Sequence, residues 1–334
     1  MSTNSSTRIP VLVLAGPTAS GKTDLLLELF GGGGPQGLPA AEVVSADSMQ
    51  AYRGMDIGTA KPDAALRALL PHRLVDILDP SETYSAGDFV RLADEACAEI
   101  AAAGRLPVVA GGTGFYIRNF ILGLPSAPTA DPAVRAAVAA DLAARGIEAL
   151  REELRLGDPR AYGRIHRNDE YRVCRALEVL RASGRALSDF APPSEARSRY
   201  RFLVVALARA REELYARIDA RVDAMLAAGL PAEFRGLRAA GFGPEAPGMK
   251  AIGYAEFFEA EAAGLDPLSP EGLAATAELV KRNTRRYAKR QETFFRGLPG
   301  LVSLEAAGEG RAGTAAAAAG LVRLLGDFLA DFPR

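Results

Sequence analysis

Apolar residues in this chain gather in short runs, separated by longer stretches in which they recur at helical spacing. Four runs predict strands: Val11 to Ala15, Glu42 to Ser45, Leu106 to Ala110 and Phe202 to Leu207. Between them the period changes. Ala86 to Ala103 carries apolar positions three and four apart and stops at Gly104, a natural helix terminator, just before Leu106. Asp24 to Phe30, Glu212 to Ala228 and Glu271 to Arg296 read as further helices. Strands alternating with helices predict an α/β fold built on a parallel sheet.

The alternation breaks at Pro125. From there to about Tyr200 the chain is rich in Ala and Arg, helical in character and without a clear strand, bounded by Pro125, Pro128 and the Pro192-Pro193 pair. This predicts a helical lobe over 125–199, inserted into a core made of residues 8–124 and 200–300, with an Ala/Gly-rich tail over 301–334. No internal repeat is visible. The Gly31-Gly32-Gly33-Gly34-Pro35 run cannot stay helical and predicts a surface loop between the first helix and the second strand.

A chain of 334 residues can bury a large core, and 49% hydrophobic with 24% charged residues is ordinary globular usage. No apolar stretch approaches the roughly eighteen residues of a membrane span. Met1 to Thr7 is a short polar lead without the apolar core of a secretory signal, so a cytoplasmic protein is expected. The two cysteines, Cys97 and Cys174, lie far apart and lack metal-ligand spacing, and two histidines, His72 and His166, cannot build a multi-histidine centre. Carboxylate, lysine and arginine are left to carry the chemistry. Forty basic against forty-one acidic residues argue against binding nucleic acid through overall charge. Local clusters differ: Lys281 to Arg296 holds seven cations and one acid, and Arg160 to Arg185 holds seven arginines and three acids. Such clusters are either solvated helix faces or footprints of phosphate-backbone contacts.

The first apolar run leads directly into Gly16-Pro17-Thr18-Ala19-Ser20-Gly21-Lys22-Thr23, the G-x-x-x-x-G-K-[ST] phosphate-binding pattern at the point where strand becomes helix. Glycines let successive N–H groups turn inward around phosphate oxygens, Lys22 adds a point charge, and the Thr23 hydroxyl suits Mg²⁺. A P-loop NTPase-like sheet follows from the context. The second strand ends in Ser45-Ala46-Asp47-Ser48-Met49-Gln50, and in open parallel sheets ligands bind outside the carboxyl ends of the strands. Asp47 should therefore face the same crevice as Lys22, either as a magnesium ligand or as a base. Position alone does not choose.

The run SADSMQAYRGMDIGTAKP (45–62), set behind GPTASGKT, resembles the tRNA dimethylallyltransferases, also called tRNA isopentenyltransferases, of bacterial type. PHRLVDILDPSETYSAGDF (71–89), GGTGFYIRNFILGL (111–124), HRNDEYRVCRALEVL (166–180), MKAIGYAEF (249–257) and RRYAKRQETFFRG (285–297) are similar to segments of the same family, in its order. The resemblance covers about residues 9–298.

It implies transfer of a dimethylallyl group from dimethylallyl diphosphate to N6 of the adenine just 3′ of the anticodon of certain tRNAs. The loop would then grip a leaving group, with Lys22, Thr23 and Mg²⁺ neutralising its growing charge. Adenine's amino group is a poor nucleophile, and Asp47 is expected to take its proton. The resemblance adds Arg221 as a second cation on the diphosphate and Thr113 near the reacting groups, although Arg221 could be a plain helix-surface residue and the Gly111-Gly112-Thr113-Gly114 turn could simply end a strand. The target base must leave its stack, so the anticodon stem-loop is the expected partner and the basic clusters its docking surface. By resemblance, Asp47-Ser48-Met49-Gln50, Thr113, Arg135, Tyr171-Arg172-Val173-Cys174-Arg175, Lys250-Ala251-Ile252-Gly253-Tyr254-Ala255 and Thr284-Arg285-Arg286-Tyr287-Ala288-Lys289-Arg290-Gln291 should touch the tRNA. Gln50, Arg172 and Arg175 are the expected readers of base edges, and Lys289 and Arg290 the grip on the backbone.

The chain departs from the family pattern in several places. The GGGGPQG loop is longer, Arg73 stands where a second histidine is common, Tyr171 stands where glutamine is common, and Phe294 and Phe295 follow the last basic cluster in a chain without tryptophan. A bacterial or organellar-type enzyme, without the zinc-finger-like extension of eukaryotic relatives, is expected, and so is a monomer. Two rivals share the loop: a small-molecule or nucleotide kinase, which would consume ATP and release ADP, and an ATP-gated RNA-binding module, which would form no product.

Overall fold

The structure is a computed structural model that describes residues 8–32, 37–128, 131–190, 192–308 and 313–330. In chain order the elements are β1 (Ile9–Ala15), α1 (Lys22–Phe30), β2 (Ala41–Ser45), α2 (Ala64–Leu69), β3 (His72–Arg73), α3 (Ala86–Ala102), β4 (Leu106–Gly111), α4 (Gly114–Leu122), α5 (Pro132–Gly157), α6 (Pro159–Arg164), α7 (Glu170–Ser183), β5 (Tyr200–Ala208), α8 (Arg211–Ala227), α9 (Leu230–Ala239), α10 (Ala255–Ala262), α11 (Pro270–Phe295), β6 (Val302–Glu305) and α12 (Ala315–Phe328). The described strands form one parallel sheet in the order β3-β2-β4-β1-β5-β6. None of the described helices is long and apolar enough to cross a membrane.

Each predicted strand is present, and the sheet explains their apolar character. β1 lies between β4 and β5, and Val11 to Ala15 are fully buried, because a strand covered on both faces has no solvent side to keep polar. α3 begins with Ser85 and Asp88 satisfying each other's backbone N–H groups, which fixes where that helix starts.

Two strands escaped the apolar pattern. β3 is only two residues long, on the sheet edge, and β6 alternates half-buried and exposed residues. Residues 301–330, expected as a tail, supply β6 beside β5 and α12, whose Ala317, Ala318, Leu321 and Leu325 join the core around Leu25 and Leu29 of α1. Arg73, the departure from the family's second histidine, donates Nε to Oε2 of buried Glu42 at 2.8 Å, while Arg105 donates to Oε1 at 2.8 Å. Most of the expected glycine-rich loop, residues 33–36, lies outside the described residues.

The chain divides into two compact units, Leu122–Glu195 and the remainder. The smaller is helical. Its core joins Val138, Leu150 and Leu154 of α5 to Ala161 of α6 and Val173, Ala176 and Leu177 of α7. Gly146, at φ +73°, interrupts α5 and turns it into two helical runs.

In the larger unit the guanidinium of Arg209 is wholly buried. Its Nε donates to Ser20 O at 2.7 Å and its Nη1 to Gly308 O at 2.7 Å, and Glu213 is its ion-pair partner. It ties the loop after β1 to the segment after β6. Arg209→Met is expected to destabilise the fold by about 2–3 kcal/mol, because two carbonyls lose a donor and a partly exposed carboxylate, left with the Gly308 N–H, loses its ion-pair partner. Thermal unfolding measures this, and an unchanged Tm would show that the tether is dispensable.

Candidate active site

The phosphate loop leaves β1 at Gly16, and α1 starts at Lys22, directly after Gly21 with φ +99°. Its backbone is held from several sides. Lys22 Nζ donates to Gly16 O at 2.8 Å and Pro17 O at 2.9 Å, and Arg217 Nε donates to Ala19 O at 2.9 Å. Thr18 N donates to Gln291 Oε1 at 3.0 Å. Ala19 itself sits at φ +61°, a left-handed conformation that is strained for a residue with a Cβ.

The loop carries unspent positive charge. Burial, followed by repulsion from Arg221 and partly offset by Asp47, lowers the Lys22 pKa from 10.5 to about 8. Burial also holds Arg221 below the usual guanidinium value, again with Asp47 opposing. Two cations crowded with one carboxylate make a place where an incoming dianion is favourable.

Asp47 follows the end of β2. Its Oδ1 accepts from Met49 N at 2.9 Å. The turn is locked to the next strand end: Ser48 N donates to Thr113 Oγ1 at 3.0 Å, and Thr113 N donates to Ala46 O at 3.0 Å. Only glycine fits at 111, since a Cβ there would lie 2.2 Å from Ala46 O. The Thr113 turn therefore does more than end a strand. Tyr287 is nearby; burial and then the Asp47 carboxylate push its phenol up to about 12 and keep it protonated.

A cavity of about 1120 Å³ takes in Thr18 to Asp24, Asp47 to Gln50, Arg221, Lys250 to Ile252, Thr284, Tyr287 and Gln291. Gly16 and Pro17 are buried beneath it. Arg221 is thus no ordinary helix-surface arginine. Thr113 stands behind Ser48 rather than on the wall.

Several residues expected to touch RNA have other surroundings. Val173, Ala251, Gly253, Tyr254 and Ala288 are buried, and Tyr254 Oη donates to Glu233 Oε1 at 2.6 Å. For Val173 on α7 and Ala288 on α11 helical period explains this, since a contiguous helical segment must turn some side chains into the core, while Ala251, Gly253 and Tyr254 lie in the buried turn before α10. Gln50, expected to read a base edge, accepts from Ser45 Oγ at 3.0 Å and donates to Thr59 O and Ala60 O at 3.4 and 3.3 Å. Gln291 is 4% exposed, and both ends of its amide are engaged, with Nε2 donating to Gly112 O at 2.7 Å. Ala255 and Cys174 are half-buried.

The basic clusters split in the same way. In α11, Lys281 pairs with Asp223 and Arg285 with Asp219, whereas Arg286, Lys289 and Arg290 are exposed and make no ion pair among the described residues. In the smaller unit, Arg175 is held by Glu178 and by Pro128 O, so its expected base-reading role meets a guanidinium already in use. Tyr171 is 80% exposed, and Arg172 and Arg135 are exposed too.

Sequence reasoning passed over Arg217, Lys61 and His72, all of which line the cavity. Arg217 had a usable signal: it lies one helical turn before Arg221 on α8, hence on the same face. Lys61, in a loop, and His72, on the two-residue edge strand β3, acquire their cavity neighbours only through the fold.

Comparison with known proteins agrees with this geometry. The family model described as IPP transferase matches residues 50–298. The tRNA dimethylallyltransferase of Geobacter sulfurreducens is 42% identical over 306 residues, covering 91% of this chain and 94% of that one. The solved tRNA isopentenylpyrophosphate transferase of Bacillus halodurans matches with a TM-score of 0.67 at 33% identity, covering 97% of this chain and 98% of that one. A eukaryotic dimethylallyltransferase acting on tRNA gives a TM-score of 0.77 at 26% identity, covering 97% of this chain and 80% of the other. A phosphate loop opening with an acidic strand end on one cavity, in a chain matched over most of its length by such relatives, has one family behind it: the chain belongs to the IPP transferases.

Proposed function

We propose that this protein, as a cytoplasmic monomer, transfers a dimethylallyl group from dimethylallyl diphosphate to N6 of the adenosine 3′-adjacent to the anticodon of tRNAs, releasing diphosphate. One observation carries the reading: Lys22, Arg221, the phosphate loop and the Asp47 carboxylate all open on a single cavity. That pairing of an anion grip with a base suits a reaction whose leaving group is a diphosphate and whose nucleophile must lose a proton.

Loop amides, Lys22 and Arg221 bind the diphosphate and take up the charge that grows as the bond from the allylic carbon to oxygen breaks. Adenine N6 forms its new bond to that carbon, its proton passes to Asp47, and the electron pair of the broken bond leaves with diphosphate. Among the described residues no cluster of three or more His, Cys, Asp or Glu could cage a metal, but Thr23 and Asp47 offer a hydroxyl and a carboxylate to one cavity. Such a sparse set fits Mg²⁺, which keeps water and substrate phosphates as most of its ligands. Bound by Thr23 and the diphosphate, it would neutralise leaving-group charge.

The acceptor base has to leave its stack to reach the cavity. Exposed Tyr171 suits stacking on a loop base and exposed Arg172 a base edge, and Arg135, Lys250, Arg286, Lys289 and Arg290 suit phosphate contacts. The kinase alternative shares the loop and sheet but is not favoured, since the matching family and relatives are transferases of prenyl groups.

The test is direct. Pure protein, Mg²⁺, unmodified tRNA whose anticodon is followed by adenine, and dimethylallyl diphosphate are incubated, and the digested nucleosides are weighed. The expected product is N6-dimethylallyladenosine. No product, together with ATP consumption on a small acceptor, would overturn the reading in favour of a kinase.

A further inference from the structure

Gln291 closes the segment whose exposed cations suit RNA, yet its own side chain is turned towards the phosphate loop. It is buried, its Oε1 accepts from Thr18 N at 3.0 Å, and its Nε2 donates to Gly112 O at 2.7 Å. One amide thus spans the phosphate loop and the turn after β4. Each polar atom of the amide already holds a backbone partner.

The place where it grips is the strained part of the loop. Ala19 follows directly at φ +61°, and left-handed geometry of a non-glycine residue persists only where its surroundings over-determine it. Here those surroundings are the Thr18 N–H held by Gln291, the Ala19 carbonyl held by Arg217 at 2.9 Å, and the Ser20 N–H donated to Pro17 O at 3.3 Å. Loss of the first would free the N–H side of the Pro17–Thr18 peptide that leads into Ala19, leaving only its carbonyl held, by Lys22 at 2.9 Å, and the amides that follow would turn away from the phosphate oxygens.

We infer that Gln291 is a positioning residue for the diphosphate, bracing the strained loop from α11, and that it is not a reader of the tRNA. This rests on the reading that the loop binds a diphosphate. It also explains glycine at 112: a Cβ there would lie 2.4 Å from Gln291 Nε2 and push the amide out of place.

The probe is inorganic diphosphate with Mg²⁺, titrated calorimetrically into the full-length protein without RNA. Gln291→Met keeps the volume and removes both hydrogen bonds, and a roughly tenfold rise in the diphosphate Kd is expected. Affinity for an anticodon stem-loop should stay unchanged, and in turnover the KM for dimethylallyl diphosphate should rise more than the KM for tRNA. Gly112→Ala should reproduce the effect, and the double variant should be no worse than either single one, because both changes act on the same amide. If Gln291→Met does not fold, Gly112→Ala alone carries the test. Diphosphate affinity unchanged in a folded variant, or a loss confined to the stem-loop, would overturn the inference. A wild-type protein that binds no diphosphate would instead remove the functional reading on which it rests.

Discussion

Asp47→Asn is expected to lower kcat by about 10²–10⁴ while leaving the Kd for tRNA nearly unchanged, the range by which a positioned general base contributes. The substitution is chosen on geometry. An asparagine oxygen can still accept from Met49 N, as Asp47 Oδ1 does at 2.9 Å, so the turn that Thr113 locks through Ser48 keeps its shape. What disappears is the basic oxygen and the negative charge beside Lys22 and Arg221. Losing that charge should not weaken diphosphate binding, since both cations become freer to meet the anion. The expected signature is therefore a fall in kcat with the KM for dimethylallyl diphosphate steady or lower. Single-turnover kinetics with saturating substrates decide the matter, and near-normal turnover would remove Asp47 from the base role.

Lys22→Met is expected to reduce kcat/KM for dimethylallyl diphosphate by about 10³, the loss usual when one preorganised donor to a developing charge is deleted. The effect should appear in kcat as well as in binding, because the leaving group is most negative in the transition state. The lowered pKa adds a second signature. The empty protein sheds the Lys22 proton from about pH 8 upward instead of near 10.5, whereas a bound diphosphate favours the ammonium. Binding above pH 8 must therefore take up a proton. Affinity for dimethylallyl diphosphate, measured without tRNA, should be full below pH 8 and fall by up to about tenfold per unit above it. The Lys22→Met protein should bind weakly with no such fall. Stability runs in the opposite sense: the buried ammonium disfavours the empty fold below pH 8, and that penalty is relieved as the pH rises from 8 towards 10.5. A wild-type affinity flat from pH 7 to 10 would contradict the coupling.

The residues legible in the sequence were those whose chemistry depends on local spacing. Lys22 and Thr23 follow from the loop pattern, and Asp47 follows from its place after a strand in a parallel sheet. β3 and β6 were not legible, because two edge residues and a half-exposed strand carry no apolar run. α12 was passed over because its alanines and glycines read as tail, yet they let it pack closely on α1. Within the contiguous segments that the resemblance implies, Val173, Tyr254 and Ala288 are core residues, a distinction that no local motif carries.

By itself the sequence determined the α/β alternation, the phosphate loop and the acidic strand end, since each is set by periodicity or by a motif a few residues long. Tertiary structure alone decided that Arg217, Arg209 and Gln291 hold successive atoms of one loop, since they stand 198, 189 and 273 residues from the loop atoms they hold. It also decided which cations stay unpaired on the surface. Partners that distant meet only when the sheet brings β1, β4 and β5 side by side, and no pattern along the chain encodes which buried amide will face which backbone N–H.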